Sequence, residues 1–221
     1  MTRPGLYPTD YHIINIEGGK FLDDAIVDFD DFQPTADGIV YMDKLKEMYP
    51  DFKVTMFAIP ARMITNKDPL NEWEKRKEWI QLAVHGWSHC DNFEATRWNK
   101  ADTIWFMKAT DEIFPGVFQH GFKSPGWQIG DECYKGLLEL DYWVADQRYN
   151  DERRPKELKA YTTAHPWIVH GHTWDMAYHP YNGVGQIMKE NRFPFKAETK
   201  FWFISEVVGT KLNEPRQGVS Q

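Results

Sequence analysis

The chain has 221 residues and a mass of 26.1 kDa, the size of a single domain with one core. Its 26 Lys and Arg against 33 Asp and Glu leave a net charge of −7, which argues against general phosphate binding and so against a nucleic-acid partner. No apolar run reaches the roughly 18 residues that a membrane span needs. The opening residues show neither a basic, apolar leader nor a small-residue cleavage site. Cys90 and Cys133 form no Cys-x-x-Cys pair. A reduced, cytoplasmic protein with no membrane partner is therefore expected. Ten Trp and a 15% aromatic share suit either a ring-binding cleft or a crowded core.

Residues 1–20, with Pro4, Pro8, Gly18 and Gly19, are expected to be an irregular lead-in, residues 21–212 one domain, and residues 213–221 a polar tail. Ala25-Ile26-Val27-Asp28-Phe29 reads as a buried strand delivering Asp30 and Asp31 at its end. Gly38 to Tyr49 carries a helical stripe, Ile39, Met42, Leu45 and Met48, and Pro50 stops it. Lys53 to Ile59 is β-rich and ends at Pro60. Asn71 to Ile80 predicts a charged helix, and Gln81 to Val84 a strand running into His85. Thr103 to Phe114 predicts a helix closed by Pro115-Gly116, and Phe118 to Phe122 a strand feeding Lys123-Ser124-Pro125-Gly126-Trp127. Asp131 to Leu140 is helical, and Tyr142 to Ala145 a strand ending at Asp146. Trp167 to Val169 is a strand ending near His170 and His172, Tyr181 to Asn191 a helix, and Lys200 to Ser205 the last strand.

Strands and helices alternate six or seven times, which predicts a parallel α/β architecture, open or closed into a barrel. Asp30, Asp31, His85, Lys123, Asp146, His170 and His172 all fall at or beyond a strand's C-terminal end, the edge where such folds bind ligands. His85 and His89 sit four apart, a spacing that puts two imidazoles on one side of a helical turn. A carboxylate from Asp30 or Asp31 would complete a set of two histidines and one acid. That donor set suits zinc or another first-row divalent ion and leaves a coordination position open. Of two adjacent acids, one can ligate while the other takes a proton from water. The plainer alternatives are one core and one surface histidine, and an acid pair that caps the next helix.

On these residues the chain resembles the polysaccharide deacetylases, the NodB-homology domain of carbohydrate esterase family four. Phe29-Asp30-Asp31 resembles the family's Phe-Asp-Asp motif, His85-Gly86-Trp87-Ser88-His89 its two-histidine motif and Phe122 to Trp127 its Arg-x-Pro segment. Asp146 matches the acid that positions the catalytic histidine, and Ile168-Val169-His170-Gly171-His172 the Leu-x-His motif. Val54 to Phe57 and Phe201 to Val207 resemble flanking strands. The resemblance implies a distorted seven-stranded (β/α) barrel and removal of an N-acetyl or O-acetyl group from a carbohydrate. It makes Asp31, His85 and His89 the ligands of one divalent ion, zinc first, with cobalt, nickel or manganese as alternatives. It makes Asp30 the base, Lys123 its orienting cation, and His172 or His170 the acid, set by Asp146. A backbone N–H near Gly126 or Trp127 would meet the oxyanion, and Trp87, Trp127 and Trp174 could stack on an acetylated amino sugar.

Four departures stand out. Asp28 replaces a usual Thr or Ser, Phe32 a frequent Gly, Gly86 a bracing hydroxyl residue, and Lys123 the Arg, which loosens the expected grip on Asp30. Two alternatives remain: a deacylase of a small or nucleotide-linked substrate, and a catalytically silent carbohydrate-binding barrel.

Overall fold

A computed structural model describes residues 22–32, 36–146, 152–162, 168–172, 193 and 195–209. The expected lead-in, the helix at 181–191, the polar tail and Trp174 lie outside them. In chain order the elements are β1 (Leu22–Asp30), α1 (Ala36–Met48), β2 (Val54–Ala58), α2 (Pro60–Thr65), α3 (Asp68–Glu74), β3 (Ile80–His85) and α4 (Glu94–Arg97). There follow α5 (Lys100–Ile113), β4 (Phe118–Lys123), a 3-10 turn (Pro125–Trp127), α6 (Asp131–Glu139), β5 (Trp143–Asp146), β6 (Ala160–Thr162), β7 (Ile168–His172), β8 (Phe195–Trp202) and α7 (Ile204–Val207).

Seven strands form a curled parallel sheet in the order β6-β5-β4-β3-β2-β1-β7, and β8 pairs in parallel with the first half of β1. This is a distorted (β/α) barrel of the NodB type, as expected, with β8 as an additional strand. The strands alternate between two burial environments. Ala25, Val27 and Phe29, with Val54, Met56, Ala58, Ile80, Leu82 and Val84, face a layer of helices through Met42, Leu45, Met63, Met107 and Leu137. The opposite face carries Ile26, Phe57, Ala83, Trp143, Ala145 and Tyr161, packed with Ile204 and Val207 of α7. Trp143 lies across Gly121, where an added Cβ would stand 2.0 Å from its ring. By strand parity Asp28, Asp30, His85, Lys123, His170 and His172 all belong to this inner face, above that apolar floor. A period of two thus delivers the polar groups to one place.

Several boundaries differ from expectation. The helix predicted over Asn71–Ile80 is α3, ending at Glu74, and Ile80 already belongs to β3. Turns at Arg76 and Trp79 break it, and the Trp73 indole N–H donates to the Ile80 carbonyl at 2.9 Å. The last strand is Phe195–Trp202, and Ser205 lies in α7. Its polar residues Lys196, Glu198 and Lys200 point outwards, which hid it from a hydrophobic search. The short elements α2, α4 and β6 have too few residues to show a period. Pro60 both ends the β2 segment and opens α2, its missing N–H falling where no helical partner exists. No helix among the described residues is long and apolar enough to cross a membrane.

Helix α5 carries the α6 contact and starts with a complete capping box: the Asn99 side chain accepts from the Asp102 N–H, and Asp102 accepts from the Asn99 N–H. Asn99→Ala is expected to lower unfolding stability by about 1 kcal/mol, read as a shifted urea midpoint with an unchanged m-value.

Candidate metal and acid–base site

Asp31, His85 and His89 come together at the C-terminal edge of the sheet, with their ligand atoms all within 4.8 Å of one another. His85 Nε2 is 3.8 Å and His89 Nε2 3.5 Å from Asp31 Oδ1. The two histidines do not share a helical turn, as their spacing suggested. His85 ends β3, and the chain then bends through Gly86 (φ 64°) to His89 (φ 49°), which brings the rings to 5.1 Å at 73°. Asp31 is itself left-handed at φ 54°, turned off the end of β1. A left-handed backbone is uncommon outside glycine, and two of the three clustered residues adopt it.

His85 Nδ1 lies 3.1 Å from the Lys123 carbonyl. A carbonyl only accepts, so Nδ1 carries the hydrogen and Nε2 presents its lone pair towards Asp31. Burial holds the His85 pKa below its ordinary value, against the pull of Asp30 and Asp31, which keeps the ring in the neutral form that ligates. Two imidazole nitrogens and one carboxylate oxygen in mutual reach, one ring fixed from behind, fit a first-row divalent ion.

Next to this set lies a buried polar network. Lys123 is fully buried; its Nζ forms an ion pair with Asp30 Oδ1 at 2.6 Å and donates to Asp28 Oδ1 at 3.4 Å. It also lies 4.0 Å from the Trp127 ring centroid and 4.9 Å from that of Phe57, against two π-faces. The grip on Asp30 is therefore close, contrary to the expectation for a Lys in place of Arg. A second carboxylate and two rings supply what the fork would have given.

Asp28, buried and unassigned from sequence, is the centre of this network. His170 Nδ1 donates to Asp28 Oδ1 at 2.6 Å and the Tyr161 hydroxyl to Asp28 Oδ2 at 3.0 Å. His170 Nε2 is 3.8 Å, and His172 Nε2 4.0 Å, from Asp30 Oδ2. The β1–β7 register, Asp28 opposite His170 and Asp30 opposite His172, sets both pairs.

Burial alone would raise the pKa of Asp30, but the Lys123 ammonium above all, with the neighbouring imidazoles, outweighs it and holds the carboxyl far below its usual range. For Asp28 burial is again the largest influence, and His170 and Lys123 reverse it to a lowered value. Burial pushes His172 down to about 3, and it raises Tyr161 well above the usual phenol value with help from Asp28.

The remaining expected residues divide. Trp127, half-buried and left-handed at φ 60°, sits edge-on to His170 with centroids 5.4 Å apart, while its N–H donates to the Ser124 carbonyl at 3.1 Å. That amide is already committed within the turn. Gly126 is required to be glycine: φ is 59° and an added Cβ would stand 2.7 Å from Asn92. Trp87 packs on α5, 5.9 Å from Trp105 and 5.2 Å from Phe106. Asp146 ends β5 opposite Thr162, and its side chain lies outside the described residues. The carboxylate seen to orient a histidine is Asp28. A second residue missed from sequence is Glu94 at the start of α4, buried, whose carboxylate accepts the backbone N–H groups of Trp87, Ser88 and His89. No sequence signal marks it, because it reads as one more acid in a polar stretch.

No family model matches the chain, and no curated protein matches it by sequence. Solved structures do. A peptidoglycan N-acetylglucosamine deacetylase (Bc1960), crystallised with a substituted N-oxidanyl-benzamide, matches at TM-score 0.59 and 13% identity, covering 87% of this chain and 91% of its own. The peptidoglycan deacetylase PdaC from Bacillus subtilis matches at TM-score 0.56 and 18% identity, covering 84% and 89%. A family 4 acetyl xylan esterase from Clostridium thermocellum, in complex with a cobalt ion, matches at TM-score 0.52 and 14% identity, covering 82% and 88%. The chain has the fold of the family 4 carbohydrate esterases.

Asp28 links stability to pH. Its carboxyl is held below the unfolded value near 3.8, so the stabilisation it gives is complete above that value and is lost as pH falls towards the folded one. Asp28→Asn is expected to be less stable than the parent at neutral pH. In urea titrations of chelator-treated protein, the gap should hold above about pH 4 and shrink as the pH falls below it. A constant gap would mean that Asp28 is not ionised in the fold.

Proposed function

We propose that the chain is a metal-dependent hydrolase that removes the acetyl group from an acetylated amino sugar. The observation that carries this reading is the convergence of Asp31, His85 and His89 within 4.8 Å, with the ionised Asp30 and His172 on the neighbouring strand ends. The fold, shared with deacetylases and an esterase of acetylated carbohydrates, supports the substrate class.

Asp31, His85 and His89 would hold one divalent ion, zinc or in its place cobalt, nickel or manganese. When bound, such an ion polarises an acyl oxygen and lowers the pKa of a water it holds. Asp30 would take the proton of an attacking water as the water's oxygen adds to the carbonyl carbon. Lys123 makes Asp30 reliably ionised but also a weak base, so Asp30 alone would be a poor catalyst in bulk water. The lowered pKa of the water offsets this weakness.

The nitrogen that leaves as its bond to the acyl carbon breaks must gain a proton. His172 is the better placed of the two histidines, its side chain 22% exposed against 6% for His170. Burial keeps His172 neutral at rest, so it acts as a relay, passing the proton from Asp30 to the nitrogen. His170, tied to Asp28, fixes the position of that pair from beneath. Trp127 covers Lys123 and keeps water from its ammonium, which strengthens the pairing with Asp30.

The test is acetate release from chitin oligomers, peptidoglycan fragments and nucleotide-activated amino sugars, with metal stripped and restored. Activity is expected to vanish on chelation and to return with a divalent ion. Asp30→Asn should lose about 100-fold or more in kcat while keeping its metal, and the His85→Ala, His89→Ala double variant should lose the metal itself. Full turnover in Asp30→Asn, or normal metal content in the double variant, would overturn these roles. Preference within the panel separates a polymer from a nucleotide-linked substrate.

A further inference from the structure

We infer that Glu94 is a positioning residue that sets metal affinity by fixing the backbone amide from which His89 projects. This rests on the proposed metal site and extends it to a residue that touches no ligand atom of the ion. Glu94 Oε1 accepts from the Trp87 N–H at 2.8 Å and the His89 N–H at 3.1 Å. Its Oε2 accepts from the Ser88 N–H at 3.3 Å, the Ser88 hydroxyl at 2.8 Å and the His89 N–H at 3.1 Å. One buried carboxylate thus gathers three consecutive amides into a concave turn, the geometry by which backbone N–H groups hold an anion.

The chain enters this turn through Gly86 and leaves it at His89, both left-handed. For His89 that conformation is unfavourable unless something overdetermines it. Two of the five contacts fall on the His89 amide, the backbone nitrogen of the ligand residue. Glycine at position 86 belongs to the same device: an added Cβ would stand 1.9 Å from Glu94 Oε1 and 2.9 Å from the Pro125 ring. The space that a side chain at position 86 would need is occupied by this acid.

Glu94→Gln keeps the volume but replaces one acceptor oxygen with an NH₂ group, which meets backbone donors with donors. The measurement is cobalt affinity by chelator competition, with the visible spectrum of the bound cobalt, on wild type, Glu94→Gln, His89→Ala and the double variant. Glu94→Gln is expected to bind cobalt about 10- to 100-fold more weakly, with a spectrum shifted towards that of His89→Ala. In the His89→Ala background it should cost no further affinity beyond about twofold, because its effect runs through that ring. A merely structural contribution would instead add to the His89→Ala loss. Glu94→Asp, which keeps both oxygens on a shorter arm, should fall between wild type and Glu94→Gln and serves if the latter does not fold. Unchanged affinity in the folded variants, or additive losses, would overturn the role of Glu94 alone. A wild type that binds no cobalt would overturn the metal site together with it.

Discussion

Everything at the active edge is organised around a buried ammonium. Removing a lysine head group from water costs several kcal/mol even after relaxation, so Lys123 can sit fully buried only where its surroundings replace that hydration. Asp30 at 2.6 Å, Asp28 at 3.4 Å and the Trp127 face at 4.0 Å do so. In return the ammonium keeps Asp30 ionised against its burial, and together with His170 it does the same for Asp28 on the same strand. The main chain of the same residue does a second job. Its carbonyl accepts from His85 Nδ1 and from the Gly86 N–H, both at 3.1 Å, and so fixes the His85 ring and the first residue of the turn that leads to His89. One residue on β4 therefore places Asp30 with its side chain and the His85–His89 segment with its backbone. Displacing it would disturb both.

Much of this was legible in the sequence because it is carried by short-range patterns. Apolar runs ending in acids or histidines gave β1, β3 and the edge they share. What was not legible is long-range or depends on φ. Asp28 looked like a departure from a hydroxyl residue, and nothing local shows that it meets an imidazole 142 residues away. Only the β1–β7 register makes that pair. The His85–His89 spacing pointed to a helical turn, yet the two rings converge through two left-handed residues whose stabilising acid lies on a four-residue helix. Such a helix has no period to detect. Trp87, adjacent to a ligand in sequence, packs on α5 instead, because neighbouring residues in a bend point in different directions.

The departures from the family pattern gain meaning once their contacts are seen together. Taken singly, Asp28 for a hydroxyl and Lys123 for Arg are unrelated departures. In space they belong to one assembly: Asp28 lies 2.6 Å from His170 and 3.4 Å from Lys123. An acid introduced alone beneath Asp30 would leave an uncompensated buried charge, and a lysine alone would lack the second acceptor that a fork would have used. Gly86 and Glu94 form a second such pair, one making the room that the other fills. Leaving any one of these buried groups without its partner would strand a polar atom, so the replacements stand or fall together. They lie beneath Asp30, where Asp28, His170 and Tyr161 put polar groups on the inner face between the acid pair and the apolar floor.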